Sequence, residues 1–298
     1  MLGLPRHRSP SRPEAAAGMR IGKLIEVGVA VSNLAAASRT FAERLGTPVT
    51  KSIGVPMFSM DFRMCRLGYV DFELMAPRGQ DGVIRRFLSR RSEGLHHIAF
   101  QVSDLSATIA ECRARGLPIL SDEPVLLGEL RAAFLHPACI SGLLIEFVEN
   151  LHGWHEELPL PGQKPAQQAG SIAGFGIAVA DVDKAAAEYA EVLGAGISEL
   201  RWNGLLGTHV RHASVADLTF ELLPSAASLL DAVSLGSDLQ GLHHVSLEVE
   251  EPEAFIDIRR PSGKATENAE TGDAFFTEPS ACHGVMFEIR AGRRPVTA

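Results

Sequence analysis

No run in this chain approaches the 18 or more consecutive apolar residues of a membrane span, which argues against a membrane partner. It has no CxxC pair. Cys65, Cys112, Cys139 and Cys282 lie far apart, as expected of a reduced, cytoplasmic chain with buried thiols. It also lacks a basic excess: 28 Lys and Arg stand against 36 Asp and Glu, a net charge of −8, whereas a nucleic-acid partner would want a basic face. P-loop, GxGxxG and Ser-His-Asp arrangements are not evident. Residues 1–20 are Arg- and Pro-rich without an apolar core, so they do not read as a secretory signal. They are expected to be a disordered tail, with Met19 as an alternative start.

What is present is repetition. The 298 residues, 46% hydrophobic and 21% charged, suffice for two ordinary soluble domains. Four copies of one pattern fill them, each opening on a short apolar strand and closing on a strand that carries glutamate. The first runs from Glu26 to Glu73, the second from His97 to Glu146, the third from Gly174 to Glu221 and the fourth from His244 to Glu288. Each copy reads as strand, helix and three strands. "SNLAAASRTFAERLG" places Leu34, Ala37, Phe41 and Leu45 at helical spacing and stops at Gly46. The fourth copy, "EEPEAFIDIRRPSG", is short and interrupted by Pro252 and Pro261, so its helix is expected to be poor.

A second level of repetition groups the copies in pairs. Glu26 and Glu73 recur as Gly174 and Glu221, each 148 residues later, and His97 recurs as His244. The predicted organisation is a tail (1–20), a first domain (21–150), a Pro-, Gly- and Gln-rich linker (151–171) and a second domain (172–292). The first copy pairs with the second, or else with the fourth; both pairings give one histidine and three carboxylates.

Side chains at the ends of neighbouring strands of a curved sheet converge. Glu26, Glu73, His97 and Glu146 would then form an oxygen-rich set suited to a divalent metal: Co, Mn, Ni, Zn, Fe or Mg. The second half supplies only Glu221, His244 and Glu288, a possible second site of three ligands, because Gly174 has no side chain. Glutamates inside apolar strands such as "LLIEFVE" are costly to bury unpaired, so a metal or hydrogen-bond partner is expected. The competing reading makes His97 and His244 core histidines and leaves Glu26 facing solvent. His96 is expected on the opposite face of its strand. The group Arg85, Arg86, Arg90 and Arg91 is either a solvated helix face or a contact for phosphates. His136 is either a turn residue or a substrate contact. His152, His155, His209, His212 and His283 have no fitting partners in sequence and are left as surface or core residues.

The strand–helix–three-strand repeat, the "GLHHIAF" and "GLHHVSL" openings and the glutamate-ending strands resemble the vicinal oxygen chelate superfamily, which includes glyoxalases, bleomycin-resistance proteins and extradiol dioxygenases. "FLSRRSEGLHHIAFQVSDL" and "AAFLHPACISGLLIEFVE" are similar to methylmalonyl-CoA epimerases. The resemblance implies an α+β fold of four βαβββ modules in two tandem domains, with metal ligands at Glu26, Glu73, His97 and Glu146. It implies a small-molecule substrate, an acyl-CoA or another α-acidic carbonyl compound, handled through an enolate or enediolate, and a monomer or homodimer. Glu26 or Glu146 would then be the catalytic base. The epimerases carry a catalytic glutamate soon after a proline; here Met57 follows Pro56. A glyoxalase-type lyase, a dioxygenase and a metal-free binding or resistance protein are the alternative activities.

Overall fold

The computed structural model describes residues 19, 21–46, 48–67, 70–127, 129–149, 170–225, 240–259 and 274–292. The tail at 1–18, His152, His155, Pro261 and the linker as far as residue 169 lie outside these residues; residues 170 and 171 already belong to a strand.

The first module is β1 (Leu24–Ala30), α1 (Leu34–Leu45), β2 (Ile53–Val55), β3 (Met60–Leu67) and β4 (Val70–Pro77). A connecting helix, α2 (Val83–Arg90), leads to the second module: β5 (Gly94–Gln101), α3 (Leu105–Ala114), β6 (Val125–Leu127), β7 (Leu130–Leu135) and β8 (Ile145–Glu149). The third is β9 (Gly170–Val179), α4 (Val182–Leu193), β10 (Gly196–Ile197), β11 (Arg201–Asn203), β12 (Thr208–Val215) and β13 (Leu218–Pro224). The fourth is β14 (Gly241–Val249), β15 (Phe275–Phe276) and β16 (Met286–Ala291), with a 3-10 turn, Pro252–Ile258, where its siblings have an α-helix. The helices start and stop where their sequences say. Asn33 and Asp104 accept hydrogen bonds from Ala36 N and Ala107 N, and α1 ends at Gly46 with φ 62°.

Two sheets result. The first has the order β2-β3-β4-β1-β5-β8-β7-β6 and the second β10-β12-β13-β9-β14-β16-β15, with β11 also on β12. Within a module the opening strand runs parallel to the closing one, as in β1 with β4 and β5 with β8. The modules join by antiparallel pairing of their opening strands, β1 with β5 and β9 with β14. The first copy therefore pairs with the second, and the third with the fourth. The fold is α+β, two curled sheets built as tandem pairs of βαβββ modules.

Alternation along the central strands sorts residues between two faces. Phe72 and Leu74 of β4, and Ile145 and Phe147 of β8, enter the main hydrophobic core together with Phe41 of α1, Cys112 of α3 and Tyr189 of α4. Their neighbours Glu73, Met75, Glu146 and Val148 face a cavity on the other side. That core runs through both halves: Phe41, Phe72 and Phe287 pack mutually with ring centroids 5.6–6.3 Å apart. Polar contacts join the halves as well. Ser141 Oγ donates to Glu188 at 2.6 Å, His283 Nδ1 meets Glu93 at 2.8 Å, and Arg44 pairs with Asp257. Cys65, Cys112 and Cys282 are buried, and none of the four cysteines is in a disulfide. Among the described residues no helix is long and apolar enough to cross a membrane.

Candidate metal and substrate site

Glu73, Glu26, His97 and Glu146 come from β4, β1, β5 and β8, the four adjacent strands at the centre of the first sheet. A β-bulge between Leu24 and Glu26 lies where β1 meets β5, so that Ile25 lines the cavity beside Glu26. The His97 Nε2 lies 3.2 Å from Glu26, 3.8 Å from Glu73 and 3.1 Å from Glu146. Glu26, His97 and Glu146 can bring one ligand atom each within 4.8 Å of one another. The imidazole fits because residue 28 is glycine: a Cβ there would sit 2.2 Å from the ring. Glu73, His97 and Glu146 are buried and Glu26 is partly so.

Among the described residues, the three carboxylates have no hydrogen-bond or ion-pair partner other than His97. Burial, then the neighbouring Glu26 and Glu146 charges, push the Glu73 carboxyl well above its usual range; burial is also the main cause that raises Glu26. Burial opposes a charge on His97 too, but hydrogen bonds and charge from Glu146 and Glu26 outweigh it and lift the ring to about 10. Three acids thus crowd around one cation, the proton on His97. A divalent ion would neutralise the same set more fully, and three carboxylates with one imidazole are suitable donors for it.

His96 departs from the sequence expectation. The β1–β5 register skips it, pairing Gly28 with His97 and Val29 with Leu95. This bulge turns His96 onto the cavity side with His97, so strict alternation fails there. The two Nδ1 atoms lie 3.0 Å apart. Burial, then the His97 charge, lower His96 to about 3, so its Nδ1 accepts from His97 and leaves His97 Nε2 aimed at the carboxylates.

The second half brings Glu221, His244 and Glu288 together, but less tightly: His244 Nε2 is 3.9 Å from Glu221 and 3.6 Å from Glu288. Here the carboxylates have other partners. Asn203 Nδ2 and His212 Nε2 reach Glu221 at 2.7 and 3.1 Å, and Ser246 Oγ and Arg290 reach Glu288 at 2.5 and 2.7 Å. Burial pushes Glu288 up, yet His244, Arg290 and Ser246 together hold it down at about 2. Gly174 cannot simply regain an acid, since a Cβ there would lie 2.0 Å from the Thr219 carbonyl oxygen.

Other expectations resolve individually. His212 and His283 do have partners, Glu221 and Glu93, which sequence spacing could not reveal. His209 packs against Trp202. His136 accepts from Ala138 N and caps a 3-10 turn, a structural role. Arg85, Arg86 and Arg90 are exposed on α2, whereas Arg91 is partly buried and donates to the Gln240 carbonyl. Met57 is 60% exposed at the start of a 3-10 turn.

Above the four acidic and basic side chains lies a cavity of about 290 Å³. Outer strands curl over it: Met60, Phe62 and Met64 come from β3, Leu127 from β6 and Phe134 from β7. Phe58 meets Phe134 edge-on at 6.5 Å, so the two ends of the sheet close toward each other across the mouth.

Comparison with known proteins places residues 26–134 under a family described as the glyoxalase/bleomycin resistance protein/dioxygenase superfamily. The mitochondrial methylmalonyl-CoA epimerase of Mus musculus is 31% identical over 129 residues, which are 43% of this chain and 72% of that protein. The ethylmalonyl-CoA/methylmalonyl-CoA epimerase of Cereibacter sphaeroides is 31% identical over 42% of this chain and 96% of its own length. The solved methylmalonyl-CoA epimerase from Mycobacterium tuberculosis is 27% identical, covering 45% of this chain and 91% of that one with a TM-score of 0.42.

Proposed function

The chain belongs to the glyoxalase/bleomycin resistance protein/dioxygenase superfamily, and we propose that its first half is a divalent-metal enzyme that moves the proton on the carbon α to a carbonyl. An epimerase or isomerase of an acyl-CoA or a similar α-acidic carbonyl compound is the activity favoured. The observation that supports it most is the convergence of three otherwise unpartnered carboxylates on His97 Nε2 at the floor of a cavity.

In this reading Glu26, Glu73, Glu146 and the Nε2 of His97 hold the ion. When bound, a divalent cation stabilises negative charge developing on substrate oxygens. His96 orients His97 through the Nδ1 contact. Glu26 or Glu146, loosening its hold on the ion, takes the α-proton.

Met57 lies at the position where the resemblance leads one to expect a second acid–base glutamate, and its thioether cannot carry a proton. Among the described residues lining the cavity, the carboxylates whose one partner is His97 rise from the central strands, on one side of it. We therefore assign proton removal and return to that one side, which by itself exchanges the α-proton with retention; inversion then requires the enolate to turn its other face to the same carboxylate, so solvent exchange should outpace inversion. The test is metal content per chain of untagged protein, with His97→Ala and His244→Ala beside it, followed by α-deuterium uptake from deuterated water with methylmalonyl-CoA. Metal lost only in His97→Ala, together with α-exchange, supports the reading. Failure to exchange removes the methylmalonyl-CoA epimerase version and leaves the metal site. Absence of metal even after reconstitution transfers the site to a ligand-binding role.

A further inference from the structure

The upper cavity has a chemical character that the proton-transfer reading does not use. Apart from the floor residues and Asp71, its lining is almost wholly apolar, and no lysine or arginine is among the described residues that line it. Asp71 is committed elsewhere: Arg66 grips both its oxygens, at 2.9 and 3.0 Å. The volume of about 290 Å³ corresponds to about ten water-sized positions at ~30 Å³ each, far more than a methyl branch fills. Met60, Met64 and Met75, flexible and polarisable, line one wall. Phe58 and Phe134 stand at the mouth, with Phe134 also edge-on to His97 at 6.1 Å.

The second half sharpens the point. At the positions of Met64 and Val148 the repeat carries His212 and Arg290, both of which reach toward acids. The same scaffold accommodates polar side chains there, so the apolar wall of the first half is a property of its sequence rather than of the fold.

We propose that this chamber is a subsite for a hydrophobic substituent, aromatic or branched alkyl, on the α-carbon of the substrate. The proposal rests on the site assignment above and narrows its substrate class. A second free carboxylate in that position would meet mostly apolar walls and no described lysine or arginine side chain. A hydrocarbon group of about six to eight carbons would displace water from methionine and phenylalanine side chains and gain by it.

The test compares 2-phenylpropionyl-CoA with methylmalonyl-CoA on the full chain. Binding of each is measured by titration calorimetry with metal-free protein, and α-deuterium uptake with protein loaded with cobalt(II). The phenyl thioester is expected to bind about tenfold or more tightly, a discrimination typical of an apolar pocket. In Phe58→Ser and Phe134→Ser, both at partly exposed positions that pack on the apolar clusters of the cavity wall and outside the main core, that ratio should fall toward one while thermal unfolding stays cooperative. Equal binding of the two thioesters, tighter binding of methylmalonyl-CoA, or a ratio that neither variant moves overturns the subsite. Selective binding without α-exchange keeps the subsite and overturns the proton-transfer reading. Exchange of both thioesters without selectivity does the reverse.

Discussion

The two halves share a strand order and a His-Glu framework, yet they resolve the same electrostatic problem differently. In the first, three carboxylates, two of them buried and Glu26 partly so, face one imidazole, and the surrounding positions 64, 99 and 148 are Met, Ala and Val. In the second, the matching positions are His212, Ser246 and Arg290, and each reaches a carboxylate. One half leaves its charge for something from outside; the other supplies its own cation. Burying like charges is tolerable only with compensation, and these are two ways of providing it.

The largest expected effect comes from removing the imidazole. His97→Ala should cut metal retention roughly a hundredfold or more, given that even supporting residues of metal sites cost 10–100-fold, while His244→Ala leaves the metal content unchanged; elemental analysis reads both. Next is a transplant of the internal cation. Val148 stands two residues beyond Glu146 as Arg290 stands beyond Glu288, so Val148→Arg should abolish metal binding while thermal unfolding stays cooperative. If V148R retains its metal, the contrast between the halves fails. The reverse change, Arg290→Met, takes the charged partner from Glu288 but leaves Ser246 and His244, and should cost about 2 kcal/mol by urea denaturation, the range for a lost hydrogen bond to a charged group.

Much of this contrast could be read in the chain. The fourfold repeat, the strand-borne acids at Glu73, Glu146, Glu221 and Glu288, and the weak fourth helix follow from periodicity and proline. The pairing of modules does not, because both candidate pairings bury the same set of side chains. Nor does the inward turn of His96, since a bulge depends on a one-residue slip between strands that local pattern cannot reveal. The partners of Glu221 were hidden for a related reason: His212 reaches it by cross-strand register, and Asn203 comes from a three-residue strand with little sequence signature.

Two smaller tests address features the halves have in common. A Cβ at Gly28 or Gly176 would lie 2.2 or 2.0 Å from its histidine ring. Gly28→Ala and Gly176→Ala should each lose about 1–3 kcal/mol through overpacking, with only G28A also losing metal affinity. The smallest effect concerns Glu93, which joins Ser32 to His283 across the halves. Burial pushes this carboxyl up, but hydrogen bonds from the Ser32 hydroxyl and amide and from His283 outweigh it and hold it below its usual value. A depressed folded pKa means stability that is present above the unfolded pKa and lost as pH falls through the folded one. The wild-type unfolding temperature should therefore drop more than that of Glu93→Gln as pH falls below about 4.5, near the ordinary glutamate value.

The packing of Phe41 and Phe72 against Phe287 joins what could have been two identical subunits into one inheritance. In a symmetric pair of separate chains, every substitution appears twice, and an arginine that fills one site fills both. Fusion breaks that bond. Each copy can then change without the other, and Arg290 beside Glu288, where the first half has Val148 beside Glu146, is such a change.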